Sequence, residues 1–158
     1  MFEIKSKIQE PPYQKFYHFY DEALKKNQTN PEAMAISSYN PSTNEVNSRF
    51  VNLKYIIDEK WIFFSNYKSP KALQFASHDQ VSVLFYWDVL NLQIRIQSKI
   101  KKVKHKISDD HFAIRSPEKN LLAIISDQSS EIQSYDDLVK KYSDHKLSLK
   151  NLDKRPDY

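Results

Sequence analysis

The chain has 158 residues, 40% of them hydrophobic and 28% charged, with a net charge of +4. Such proportions suit one folded domain with a real core rather than a disordered tail. There is no cysteine and no glycine, which excludes disulfides, Cys–zinc sites and thiol nucleophiles, and equally a Walker loop or a Rossmann fingerprint. The longest apolar runs, such as 121–125, fall far short of a membrane span, and the first residues lack the apolar stretch of a signal peptide. A soluble cytoplasmic protein with no membrane partner is therefore expected. The positive charge raises nucleic acid as a partner, but it is dispersed. Its densest stretch, 99–106, alternates like a strand with a solvated face, and no RNA-recognition or helix-turn-helix signature accompanies it.

In chain order, Phe16, Phe19, Tyr20, Ala23 and Leu24 form one helical stripe, predicting a helix over 13–26 after Pro11-Pro12. Strands are expected at 33–39, 49–57 and 61–65. Without glycine, hairpin turns must use Asn and Asp, and 40–44 and Asp58-Glu59 sit where such turns belong. Ser69-Pro70 predicts a helix to Ser77, with Ser as cap and Pro in the first position. Strands follow at 81–87 and 92–96. The apolar phase then slips between Ile100 and Val103, which suggests a bulge. Ser108, Ser116-Pro117 and Ser134 read as caps of helices at 109–115, at 117–126 and up to about Tyr142. Several short strands followed by helices argue for a small barrel with packed helices.

No two of His18, His78, His105, His111 and His145 share a metal-ligand spacing, so no metal is expected. The carboxylate pairs Asp109-Asp110 and Asp136-Asp137 fall in expected first turns, where the helix dipole favours them structurally. More informative are basic residues at element ends. Lys71 lies in the first turn of a helix, where free N–H groups already favour an anion. Arg49 and Lys54 bracket a strand with opposite parity, so they would reach two different groups. Arg115 and Lys119 straddle the Ser116-Pro117 helix start. Taken singly, each is more often a solvated surface charge.

Taken together, these stretches resemble a known family. Asn30-Pro31-Glu32-Ala33-Met34, Arg49-Phe50-Val51-Asn52-Leu53-Lys54, and the run from Phe63 through Phe64-Ser65 to Ser69-Pro70-Lys71-Ala72 are similar to the pyridoxamine 5'-phosphate oxidase pattern. Phe85-Tyr86-Trp87, Leu92-Gln93-Ile94-Arg95-Ile96, His111 to Pro117 and Ser126-Asp127-Gln128-Ser129 continue it in the same order. The resemblance implies a mainly β, α+β fold, the FMN-binding split β-barrel, as one domain over 1–158. An arm and helix would occupy 1–28, barrel strands 30–106 and helices 108–146. It also implies a homodimer around FMN.

In such a protein Arg49 and Lys71 would hold the FMN phosphate, helped by Phe64 and Ser65. Phe50, Val51, Asn52, Leu53 and Lys54 would lie along the isoalloxazine ring, with Gln93, Gln128 and Ser129 touching the flavin from the partner subunit or its vicinity. Lys54, His111, Arg115 and Lys119 would hold the phosphate of pyridoxamine or pyridoxine 5'-phosphate. The implied reaction passes a hydride from substrate C4' to flavin N5, with oxygen as acceptor; no catalytic residue is assigned. The alternative is a non-catalytic flavin- or B6-vitamer-binding relative. Departures from the pattern are Pro70 for a second phosphate arginine, Leu92 for an arginine, His111 for a tyrosine and Lys119 for a serine. Ser98 and Leu122 stand at usual glycines. The chain also stops at Tyr158, where the family continues into further strands, so an incomplete barrel with weak or absent turnover is expected.

Overall fold

The computed structural model describes residues 2–6, 8–126, 131–132, 134–146 and 154–156. The chain forms two compact units, one of Met1–Ser65 with Gln74–Lys101 and the other of Asn66–Leu73 with Lys102–Tyr158. Its elements are β1 (Glu3–Ile4), α1 (Pro11–Lys25), β2 (Ala33–Asn40), β3 (Glu45–Asn52), β4 (Tyr55–Ile57), β5 (Lys60–Ile62), α2 (Pro70–Ser77), β6 (Gln80–Trp87), β7 (Leu92–Lys99), α3 (His105–Ala113), α4 (Pro117–Ile125) and α5 (Tyr135–Lys146). This is an α+β architecture with an unclosed barrel, compatible with the split-barrel expectation.

The first unit holds two sheets. One has the order β3-β2-β6-β7, antiparallel throughout; in the other, β4 lies between β1 and β5. Period-two alternation places Met34, Ile36 and Ser38 of β2 and Val81, Val83, Phe85 and Trp87 of β6 on the buried side. Helix α1 covers that side. Phe16 packs edge-on against Phe85 at 5.5 Å between centroids and tilts against Trp87 at 5.6 Å and Trp61 at 4.4 Å. The Trp87 indole N–H donates to the Pro31 carbonyl at 2.9 Å, so the largest core side chain is also polar-satisfied. In the second unit, Phe112, Leu121 and Ala123 are buried.

Several expectations need correction. Pro11-Pro12 form the first turn of α1 instead of preceding it, since proline there gives up only an N–H that has no helical partner. The expected strand 49–57 is two strands. After β3 the chain changes hydrogen-bonding partners: the Leu53 N–H donates to Glu32, the Lys54 N–H to Ile62, and β4 then joins the other sheet. Strand 61–65 shortens to β5. There is no bulge at 100–103, because β7 ends at Lys99 and the basic stretch turns into α3 at His105. Lys104, not Ser108, is the cap of α3, so Asp109 and Asp110 sit past the first turn; there they pair with Arg155 and Lys106. Ser134 does cap α5, accepting from the Asp137 N–H at 3.0 Å, and that helix runs to Lys146.

The turns read as expected. Positive φ occurs at Asn27, Asn30, Asn44, Asp58 and Asn91, all residues that tolerate the left-handed region. Asn44 is further held by the Tyr39 hydroxyl, which donates to its side-chain oxygen at 2.8 Å. At Asn91, between β6 and β7, replacement by Gly should leave stability unchanged or slightly higher, whereas Asn91→Val should cost about 1–2 kcal/mol in urea unfolding.

Candidate functional site

Arg49 lies on β3 opposite Ile36 of β2, with its side chain half-buried. Its Nη1 donates to Ser38 Oγ at 2.7 Å and to the Ile36 carbonyl at 3.3 Å, and its Nη2 donates to Gln74 Oε1 at 3.0 Å. The Ser38 hydroxyl in turn donates to the same Gln74 oxygen at 2.5 Å. Ser38 is 1% exposed and Gln74 9%, so the guanidinium leans on a buried polar pair. All three acceptors are neutral. Among the described residues no carboxylate pairs with Arg49, and burial pushes its pKa below the usual arginine value. The side chain still stays charged at neutral pH. A half-buried cation compensated only by dipoles is suited to receive an anion.

A second such cation lies in the other unit. Arg115, between α3 and α4, donates from Nη2 to the Lys119 carbonyl at 3.1 Å and lies 5.3 Å from the Phe112 ring centre. Burial lowers its pKa too, and no carboxylate among the described residues pairs with it. His111 is half-buried in the last turn of α3, and Lys119 is exposed in the first turn of α4.

The remaining expected residues are placed as follows. Lys71 is in the first turn of α2, whose second turn carries Gln74. Phe50 is 78% exposed on the outer face of the four-stranded sheet, while Val51 packs against the core and Leu53 is fully buried. Asn52 ends β3, and Lys54 sits half-buried where the chain changes sheets. Phe64 stacks edge-on against Tyr55 at 6.0 Å, with half-buried Ser65 beside it in sequence. Gln93 is exposed on β7 opposite Tyr86, on the same outer face as Phe50. Gln128 and Ser129 lie outside the described residues. Ser38 and Gln74 were not foreseen. For Ser38 there was a signal: it shares parity with Met34 and Ile36, a polar residue in a core-facing position. Among the described residues no group of His, Cys, Asp or Glu could hold a metal, and no helix is long and apolar enough to cross a membrane.

The geometry therefore defines an α+β protein whose half-buried arginines are suited to anionic groups, with Lys71 and Lys119 in the first turns of α2 and α4. Comparison with known proteins narrows the class. Residues 20–144 match the pyridoxamine 5'-phosphate oxidase family model, and the chain belongs to that family. A pyridoxine/pyridoxamine 5'-phosphate oxidase of Colwellia psychrerythraea is 38% identical over 134 residues, covering 85% of this chain and 61% of that protein. One of Cupriavidus taiwanensis is 30% identical, covering 98% of this chain and 72% of the relative. A chloroplastic enzyme of Arabidopsis thaliana is also 30% identical, but this chain spans 28% of its length. In fold, the chain is similar to PhzG from Burkholderia lata, solved with tetrahydrophenazine-1-carboxylic acid, at a TM-score of 0.84 and 20% identity over 98% of this chain and 78% of that one. It is also similar to an FMN-binding protein from Nostoc punctiforme, at 0.64 and 12% identity over 84% and 72% of the two chains.

Two half-buried guanidiniums with no carboxylate partner among the described residues should make the folded state bind phosphate. Inorganic phosphate at a hundred times its Kd should stabilise the wild type by about 2.7 kcal/mol for each site it fills. The Arg49→Met/Arg115→Met variant should gain only the general effect of an excluded salt. Thermal melts over a phosphate series check this; equal shifts in both proteins would remove the anion reading.

Proposed function

We propose that this chain binds FMN and serves as a flavin-dependent oxidase of pyridoxamine or pyridoxine 5'-phosphate, working as a cytoplasmic homodimer. The observation that carries the reading is Arg49: half-buried, charged and without a carboxylate partner among the described residues, at the start of the 49–54 stretch that carries the family pattern. A phosphate monoester supplies the missing negative charge and accepts charge-assisted bonds in the fork geometry of a guanidinium. The residues present thus fit the cofactor's phosphate.

Arg49 and Lys71 hold that phosphate, with Phe64 and Ser65 beside it and the backbone N–H groups of the first turn of α2 adding partial positive charge. Phe50, Val51, Asn52, Leu53 and Lys54 line the ring, and Gln93, Gln128 and Ser129 complete the flavin contacts. FMN supplies the two-electron redox chemistry, with oxygen as final acceptor. The chain's own task is to orient: Lys54, His111, Arg115 and Lys119 anchor the substrate phosphate so that the oxidised carbon is presented in one pose. Arg115 suits this role because its planar fork is half-buried and meets a carbonyl and an aromatic ring but no carboxylate among the described residues.

The homodimer is supported by the outer sheet face. Phe50 is 78% and Tyr86 59% exposed, and the register sets Phe50, Ala35 and Leu84 side by side on that face. An apolar sheet face of this kind calls for a cover, and a second copy related by a twofold axis supplies one.

Reconstitution with FMN followed by gel filtration should leave the protein yellow, and Arg49→Ala combined with Lys71→Ala should lose the flavin; a colourless wild type would refute the reading. Oxidation of pyridoxamine 5'-phosphate should then reduce oxygen to peroxide, more slowly than an ordinary enzyme rate of about 1 per second, whereas flavin retention without peroxide would favour a binding protein. Sedimentation should show a dimer that Phe50→Asp converts to monomer.

A further inference from the structure

We propose that Ser38 and Gln74 are positioning residues that hold Arg49 by neutral dipoles alone, aiming one edge of its guanidinium at a phosphate monoester and reserving its charge for that ligand. The inference rests on Arg49 serving as a phosphate ligand, and it adds two residues that no part of the family pattern brought forward.

The donor inventory carries the argument. Arginine has five N–H groups. Nη1 uses both of its hydrogens, on Ser38 Oγ and the Ile36 carbonyl, and Nη2 uses one on Gln74 Oε1. The two N–H groups left without a partner among the described residues are Nε–H and the second on Nη2. These make the side fork, the edge that grips an oxyanion in two parallel bonds. Ser38 Oγ and Gln74 Oε1, themselves 2.5 Å apart and hydrogen-bonded, each take one terminal nitrogen and so settle the rotation of the guanidinium. The amide must present its oxygen here, because Arg49 can only donate.

Charge makes the choice of glutamine consequential. A glutamate at position 74 would keep the same shape and accept the same hydrogen bonds, yet pair with Arg49 and cancel the charge the phosphate needs. A purely structural clamp would be served as well, or better, by that carboxylate. Neutral acceptors orient the cation without competing for it.

The test compares FMN with riboflavin, which lacks the phosphate, by flavin fluorescence quenching on wild type, Arg49→Ala, Gln74→Glu, Gln74→Met and Ser38→Ala. Wild type should prefer FMN, and Gln74→Glu should keep its melting temperature and riboflavin affinity while the FMN preference falls roughly tenfold or more, the size of a lost charge-assisted bond. Ser38→Ala and Gln74→Met should lower the preference in the same direction. A Gln74→Glu protein with the full wild-type preference, alongside an Arg49→Ala protein that has lost it, would overturn this inference and leave Arg49 as a phosphate ligand. Equal loss of FMN and riboflavin across the Ser38 and Gln74 variants would also overturn it, showing a structural role only. No FMN preference in the wild type would instead sink the underlying cofactor assignment.

Discussion

A guanidinium withdrawn from water has to be compensated by something, and in this fold the compensation at Arg49 is left open. Its internal partners are a hydroxyl, an amide oxygen and a carbonyl. Dipoles of that kind offset part of the desolvation cost but leave the charge itself uncancelled. Much of the surrounding structure follows from keeping that arrangement rigid. The pairing of β2 with β3 places Ile36 opposite Arg49, and the pairing of β2 with β6 holds β2 in the middle of the sheet. The aromatic packing of α1 on Phe85 and Trp87 fixes the buried side of the neighbouring β6. A shift of β2 by one residue would turn Ser38 away from the interior and release the guanidinium.

The lack of glycine is met by a consistent device. Among the described residues, the five with positive φ are all Asn or Asp, and they mark the end of α1, the approach to β2 and the turns before β3, β5 and β7. Side chains that can bond locally make the left-handed region tolerable there. The Tyr39–Asn44 hydrogen bond shows one of them tied across its own hairpin. The fold therefore meets its turn geometry with modest local strain at surface positions, away from the buried polar pair under Arg49.

Much of this was legible in the sequence, for physical reasons that differ by element. The α1 stripe, the alternation of β6 and the Ser-Pro starts of α2 and α4 are short-range patterns, and they appear where expected. Where expectation failed, long-range pairing decided the outcome. Nothing local to 49–57 reveals that Leu53 bonds to Glu32 while Lys54 bonds to Ile62, splitting one apolar run between two sheets. Likewise the alternating charges of 99–106 look strand-like, but Lys99 ends the ladder with β6, and a helix begins at His105. At the site, Arg49 and Arg115 were picked out as cations at element ends. Their burial with no carboxylate partner among the described residues was not readable, because it depends on what the folded chain places around them. Ser38 carries a signal in its parity with Met34 and Ile36; Gln74 carries none comparable.

The replacement of a usual arginine by Pro70 gives the neutral cradle added weight. Proline in the first position of α2 starts the helix well but brings neither a charge nor an N–H donor. On the proposed reading, the positive charge facing the cofactor phosphate then falls to Arg49 and Lys71. A chain with three cations at such a site could let one be partly neutralised by a neighbouring carboxylate and still hold a dianion. With two, any internal pairing of Arg49 removes a large share of the attraction. Neutral residues at positions 38 and 74 are what that shortage requires: they hold the guanidinium firmly enough to keep its fork pre-organised, and they leave its charge available to the ligand.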